Sequence, residues 1–257
     1  MVRGLYTGYT GMLNQQKRLD TITNNMANAS TTGYKREGAT ARSFDEYMTI
    51  KVNDLTEGVL TRNVGQMSLG VKIGENYTDW NQGSFKNTEN TYDVALDGKG
   101  FFNVMYANKQ GEVSTMYTRD GEFTTDANGE LRTKDGDYIL GEGGIITIPT
   151  TATDVVIDET GNIFADGEFI DKLQITDFED YNYLKKYGEN LITTVDGATE
   201  TESTAKVTQG YLEMSNINVV NEMVEMITIT RAYEASQKVI QTADSMTDKA
   251  VNEVGKV

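Results

Sequence analysis

The chain contains no histidine and no cysteine, and it has a single proline, Pro149. Without histidine there is no Ser-His-Asp or Cys-His pair, and no imidazole that titrates near neutral pH. Without cysteine there is no disulfide framework, no thiolate nucleophile and no cysteine-ligated zinc. The chemistry left open is that of paired carboxylates, a lysine, or metal ions bound through oxygen.

Long apolar runs and positive charge are also scarce. No segment approaches the roughly 20 apolar residues of a membrane-spanning helix, and the first residues lack the apolar stretch of a cleaved secretory signal. The 257 residues include 39 acidic and 23 basic side chains, for a formal net charge of −16. Because the acidic surface repels phosphate groups, we expect no nucleic-acid partner. Because no apolar run is long enough to span a membrane, we do not expect an integral membrane protein.

Charge and glycine divide the chain into three parts. Residues 1–40 carry a net charge of +3 and residues 211–257 a net charge of −3, so the middle accounts for the whole −16. Of the 25 glycines, 19 lie in that middle part. Because glycine disfavours helices and marks turns, the pattern predicts helices at both ends and strands joined by turns between them.

The first segment shows an apolar seam. Its side chains recur every seven residues, with further apolar residues three or four positions away, which is typical of an amphipathic helix. Gly4, Gly8 and Gly11 each weaken an isolated helix by up to about 1 kcal/mol, so we expect order here only when another surface covers it. The predicted seam residues are Leu5, Met12, Leu19, Ile22 and Met26.

The last segment carries a second seam with two heptad positions, one of which is occupied mostly by small residues that allow a partner helix to approach closely. Since an isolated amphipathic helix gains little stability in water, we predict that the two ends pair as coiled-coil-like helices. Periodicity alone leaves open a helical hairpin packed on the protein's own β-domain. The seam residues here are Met226, Ile229, Tyr233, Ile240, Ala243 and Val254.

The middle of the chain alternates short apolar or β-branched runs with Asp-Gly and Asn-Gly turns, which predicts an all-β domain built from hairpins. The predicted fold is α+β, with a discontinuous inner domain of paired terminal helices and an all-β outer domain. The predicted parts are an N-terminal helix over 1–36, an extended connecting segment over 37–90, the β-rich domain over 91–205 and a C-terminal helix over 206–257.

Two turn sequences resemble ligand-binding loops only in part. Gly98-Lys99-Gly100 lacks the third glycine of a dinucleotide fingerprint, and no Gly-Lys-Ser/Thr follows it. The stretch that begins at Asp126 has Leu131 where a calcium loop of the EF-hand type needs glycine. We therefore interpret both as turns, and we expect no cofactor, no metal and no catalytic residues.

Short motifs in all three parts carry a more specific signal. The middle contributes Asp93–Leu96, Gly98–Phe102 and Tyr117–Gly121, and Gln209–Glu213 precedes the second helix. The terminal signature residues are Asn24, Asn25, Ala27, Asn28, Gly33, Tyr34, Lys35, Arg231, Ala232, Tyr233 and Glu234. In this order the motifs resemble those of the axial proteins of the bacterial flagellum, and among them the rod proteins of the basal body.

That resemblance implies a structural function and no enzymatic activity. Such subunits pass unfolded through the flagellar type III export apparatus and stack helically, with themselves and with neighbouring rod and hook proteins, outside the cytoplasmic membrane. The assembled rod is the drive shaft that carries torque from the motor to the hook. A small hook-type axial protein is the alternative within the family. A carbohydrate-active enzyme that uses two carboxylates is the enzymatic alternative.

The family also implies an export element, a phenylalanine followed four residues later by an apolar side chain. Phe44 and Met48 have this spacing. Because the spacing is common, the same two residues could equally anchor the connecting segment, and the sequence leaves both interpretations open.

Overall fold

The computed structural model describes residues 2–51, 62–108 and 111–254, with side chains over 4–48, 65–108 and 111–253. Within them, a helix at each end of the chain flanks a large β-region, which confirms the predicted α+β fold. The chain divides into two compact units. Unit 1 is formed by Met1–Met26, Glu37–Asp79 and Asn218–Val257, and unit 2 by Ala27–Arg36 and Trp80–Ile217.

Unit 1 contains both long helices, α1 (Val2–Ala27) and α2 (Val219–Lys249). The Asn218 side chain caps α2, because its Oδ1 accepts hydrogen bonds from the amides of Val220 and Asn221. A π-helical turn, Ala250–Val254, follows α2. Neither helix, over its described residues, has an apolar stretch long enough to cross a membrane.

The segment predicted as extended connecting chain contains strands. They are β1 (Glu37–Ser43), β2 (Tyr47–Lys51), β3 (Arg62–Met67) and β4 (Val71–Thr78) in unit 1, and β5 (Phe85–Asn87) in unit 2. The first pairs with the fourth and the second with the third, both antiparallel. Local composition does not indicate that two strands up to about 40 residues apart will pair. The domain bounds drawn from the sequence stay predictions.

Unit 2 consists of short strands and tight turns, with one 3-10 turn at Tyr181–Tyr183. The remaining strands are β6 (Val94–Asp97), β7 (Phe101–Ala107), β8 (Val113–Thr118), β9 (Phe123–Thr125), β10 (Leu131–Thr133), β11 (Tyr138–Gly141), β12 (Gly144–Ile145), β13 (Val155–Ile157), β14 (Asn162–Ala165), β15 (Glu168–Lys172), β16 (Ile175–Phe178), β17 (Leu184–Tyr187), β18 (Leu191–Thr194), β19 (Glu200–Glu202), β20 (Lys206–Gln209) and β21 (Tyr211–Glu213).

Most of these strands belong to one antiparallel sheet in the order β17-β18-β8-β7-β11-β10-β9, and β13-β14-β15 form a separate sheet. Apolar side chains from both sheets, among them Phe102, Phe123 and Ile163, bury a common core. A second cluster surrounds Phe101, against which the single tryptophan, Trp80, packs edge-on at 5.6 Å. Unit 2 therefore has a hydrophobic core of its own.

Candidate assembly site

The two helices of unit 1 pack against each other in antiparallel directions. Gly8 near the start of α1 faces Ile240 near the end of α2. Further along α1, the Arg18 guanidinium lies 2.9 Å from the Glu225 carboxylate. This ion pair is partly exposed and contributes at most about 1 kcal/mol, so the pairing depends chiefly on apolar packing.

Gly8 makes room for a side chain of the partner helix. A Cβ added at Gly8 would lie 2.9 Å from Ile240 Cγ1, and one added at Gly11 would lie 3.4 Å from Ser236 Oγ. Glycine costs helix stability in isolation, but here the missing side chain makes room for the partner helix. Of the glycines that weaken α1 when it is alone, Gly8 therefore shapes its contact surface, whereas a Cβ at Gly4 would meet nothing within 4 Å.

Among the predicted seam residues, Ile22 and Ile229 are buried, and Ile240 on α2 lies against Gly8 of α1. Tyr233 is 37% exposed. The side chain of Val254 lies outside the described residues. Half-buried positions are Leu5, Met12, Leu19, Met26, Met226, Ile240 and Ala243.

Each helix also carries an apolar stripe on its opposite side. At 100° per residue, these stripes are centred about half a turn from the paired faces. Their side chains are exposed, as at Ile227 with 55% of its surface accessible. We name them the outer stripes: Tyr6, Tyr9 and Leu13 on α1, and Val220, Met223, Val224 and Ile227 on α2.

The sequence analysis missed these outer stripes. Their spacing of three, four and seven residues was visible, but only one seam was assigned to each helix. A helix with two apolar faces is typical of a subunit that is buried on more than one side.

Residues from three of the short motifs meet in a buried cluster of charges in unit 2. Glu213, at the end of β21, is 1% exposed. Its Oε1 accepts a hydrogen bond of 2.5 Å from Lys35 Nζ and one of 2.9 Å from the Gly83 amide. Its Oε2 accepts a bond of 3.1 Å from Arg119 Nη1. Two cations therefore share one carboxylate inside the protein; we call Lys35, Arg119 and Glu213 the charge cluster.

Carbonyl groups and aromatic rings complete the charge cluster. Lys35 Nζ also donates to the Asn81 carbonyl at 2.9 Å, and Arg119 Nη2 donates to the Gly98 carbonyl at 2.6 Å. The Arg119 guanidinium lies 5.3 Å from the centroid of Phe101, a cation–π contact. These contacts offset part of the cost of burying the charges.

The backbone conformation beside the charge cluster requires a glycine at signature position 33. Gly33 has a φ of +67°, and a Cβ there would lie 2.4 Å from the Asp120 amide nitrogen. The Gly33 amide donates to the Glu213 carbonyl at 2.8 Å. Burial raises the pKa of Asp120, although the Thr32 hydroxyl, which donates to its Oδ1 at 2.6 Å, acts in the opposite direction.

The signature residue Asn25 makes its hydrogen bonds within unit 1. Asn25 is fully buried, and its side chain exchanges two hydrogen bonds with the backbone of Glu37, at 2.8 and 3.0 Å. Its Nδ2 also donates to Glu222 Oε2 on α2 at 3.4 Å. Among the other signature residues, Asn28 and Tyr34 are buried and Ala232 is half-buried, whereas Asn24, Ala27, Arg231 and Glu234 are exposed.

The two export candidates differ in exposure. Phe44 is half-buried, its amide donates to the Gly70 carbonyl at 3.0 Å, and Lys72 Nζ lies 5.7 Å from its ring centroid. Met48 is exposed on β2. The folded chain therefore anchors Phe44 and leaves Met48 accessible.

Comparisons with known proteins agree with this arrangement. The model described as flagella basal body rod protein matches residues 5–35. The model for the D1 domain of the flagellar hook protein FlgE/F/G matches residues 95–165. The model for the C-terminal region of the flagellar basal body rod FlgEFG proteins matches residues 208–253. The first and third of these cover much of α1 and α2.

Relatives match over nearly the whole chain. The flagellar basal-body rod protein FlgG of Agrobacterium fabrum is 36% identical over 95% of this chain and 97% of its own length. FlgG of Bacillus subtilis is 33% identical, over 98% of this chain and 99% of its own. FlgF of Caulobacter vibrioides is 31% identical over the full length of both. This chain belongs to the family of flagellar basal-body rod proteins.

Proposed function

We propose that this chain is a non-enzymatic structural subunit of the flagellar rod, located in the basal body and stacked helically with copies of itself and with neighbouring rod and hook proteins. The observation that carries the proposal is the helix pair of unit 1. Each helix covers the inner face of the other, yet both expose an outer stripe. A second subunit on either side would bury those stripes.

The position of the outer stripes supports an open assembly rather than a closed dimer. The α1 stripe is aromatic at Tyr6 and Tyr9, whereas the α2 stripe is aliphatic. Two different patches that meet across subunits form a heterologous contact, which continues as a helix unless rotation closes it. Each buried apolar side chain contributes on the order of 1 to 3 kcal/mol, so many subunits together can resist torque.

Deleting the gene in the host bacterium tests this function. The mutant is expected to be non-motile, and a copy on a plasmid is expected to restore both swimming and the presence of the protein in purified basal bodies. A mutant that swims normally, or basal bodies that lack the protein in the complemented strain, would contradict the proposal.

The length of the rod-protein relatives favours a rod subunit over a hook subunit, because they match this chain end to end.

We further propose that the chain is exported unfolded through the flagellar type III apparatus and that Phe44 and Met48 form the element that the apparatus recognises. Replacing Phe44 by Ala is expected to lower secretion several-fold, because the recognised aromatic ring is gone. Amounts in the culture medium and in the cell, measured by immunoblotting, give the secreted fraction.

A control substitution shows whether the effect is specific to Phe44. Tyr77→Ala removes an exposed aromatic side chain from the neighbouring β4 and is expected to leave secretion unchanged. Wild-type secretion of the Phe44→Ala variant would exclude this export role.

A further inference from the structure

The outer face of the β13-β14-β15 sheet is unusual for a face turned towards solvent. Its inner face packs Val155, Ile157 and Ile163 into the core. On the outer face, the register places Val156 opposite Phe164 and Phe164 opposite Phe169. Val156 is 49% exposed and Phe169 is 55% exposed. We call Val156, Phe164 and Phe169 the apolar row.

Acidic side chains border the apolar row. A groove of about 530 Å³ is lined by Val156 and Phe164 together with Asp97, Asp158 and Glu159. Lys206 lies at the same groove, but its Nζ is paired with the Glu159 carboxylate at 2.9 Å. The surface thus combines an apolar floor with an excess of negative charge, so it fits a partner that presents apolar and basic side chains together.

Unit 2 carries such a surface elsewhere. Strand β17 is the edge of the large sheet, and among the described residues it pairs only with β18. On β17, Lys185 and Tyr187 are exposed and Leu184 and Lys186 are half-buried, so the two exposed residues lie two positions apart and share one side of the strand. Tyr183, at the end of the preceding 3-10 turn, is also exposed, and the Tyr187 ring contacts Tyr106 edge-on at 5.5 Å. We call Tyr183, Lys185 and Tyr187 the basic row.

Lys185 is the exposed lysine of strand β17. It is exposed and makes no ion pair with any described residue. Unit 2 has 25 acidic and 12 basic residues, so two copies repel each other over most of their surfaces. A lysine between two exposed tyrosines is therefore a place where another copy's acidic groove can approach favourably.

We propose that the basic row of one subunit docks on the apolar row of a second copy of this chain, with Lys185 beside Asp158 of that copy. The tyrosine rings cover Phe164 and Phe169, whose own rings lie 5.9 Å apart. Because the two surfaces differ, the contact is heterologous and can repeat from subunit to subunit. The inference rests on the proposed rod function and adds an outer contact to the helix contacts.

Cysteine cross-linking tests the contact directly, because the natural chain contains no cysteine. Asn182 is exposed beside the basic row, and Thr208 is exposed and lines the groove. In purified basal bodies, a chain carrying both Asn182→Cys and Thr208→Cys is expected to give a ladder of cross-linked multimers with a bismaleimide. Each single-cysteine chain is expected to remain mostly monomeric.

Charge reversal tests the register of the contact. Lys185→Glu is expected to lower the yield of the ladder about threefold or more, and adding Asp158→Lys to the same chain is expected to restore it. Lys86→Glu is the matched control, since Lys86 is an exposed lysine on β5 that likewise makes no ion pair with any described residue. It should leave the yield unchanged.

The outcomes separate this contact from the rod function. Basal bodies that contain the protein but yield no ladder would contradict the contact alone. Cross-links to a different protein would identify another occupant of the groove and would exclude a second copy. Absence of the natural protein from basal bodies would contradict the contact and the rod function together.

Discussion

Replacing Glu213 by Gln is expected to lower the free energy of unfolding of unit 2 by about 3–5 kcal/mol. Glutamine keeps the shape of the side chain but removes the single negative charge that Lys35 and Arg119 share. Two buried cations would then lack a counterion, and such a loss is a large fraction of the total stability of a domain. Urea unfolding followed by Trp80 fluorescence measures the change, because Trp80 packs on Phe101 beside Arg119.

Two further variants make that measurement specific. Glu168→Gln makes the same chemical change at an exposed position of β15 and is expected to alter the stability by less than about 0.5 kcal/mol. Lys35→Met combined with Glu213→Gln removes one cation with the anion and is expected to cost less than the sum of the single changes. A loss below about 1 kcal/mol for Glu213→Gln would show that the charge cluster does not stabilise unit 2.

Replacing Ile227 by Asp is expected to abolish swimming while leaving the isolated protein folded. Ile227 is exposed on the α2 outer stripe, so the substitution removes little packing within the subunit. In an assembled rod the carboxylate would be buried among apolar side chains of a neighbour, at a cost of several kcal/mol per subunit. Motility in soft agar and recovery of the protein in basal bodies measure the effect.

The same helix supplies the control for that experiment. Gln237 is exposed and lies well to one side of the outer stripe, so Gln237→Asp is expected to assemble normally. Circular dichroism and unfolding of both variants should match those of the natural protein. Normal swimming with Ile227→Asp would exclude the outer stripe as a contact between subunits.

Local pattern predicted the two helices and the β-region, but it could not predict how distant segments meet. The seams of α1 and α2 followed from spacing, because burial on one helix face repeats with the helical period. Strand β1 pairs with β4 at separations of 28 to 41 residues, across a stretch with few apolar residues, so periodicity carried no signal for it. Pairing of that kind depends on the rest of the fold.

The charge cluster shows a similar limit. Lys35, Arg119 and Glu213 each lie in a motif that the sequence analysis singled out, yet nothing in the sequence says that the three motifs meet. Acidic and basic residues are usually exposed, and each of the three alone is best interpreted as a surface residue. Glu213 directly follows the apolar Leu212 on β21, and because adjacent strand residues point to opposite faces, this pattern predicts exposure for Glu213, although both residues are buried.

The charge cluster also affects the order in which parts of unit 2 fold. Lys35 and Glu213 are 178 positions apart, so their bond closes a loop that spans most of the chain. Contacts of such long range form late, because the entropy of loop closure must be overcome before they stabilise anything. Until the segment with Glu213 has joined unit 2, Lys35 and Arg119 lack the carboxylate that they share. Completion of unit 2 therefore waits for the last fifth of the sequence, and until then the polypeptide remains easy to unravel.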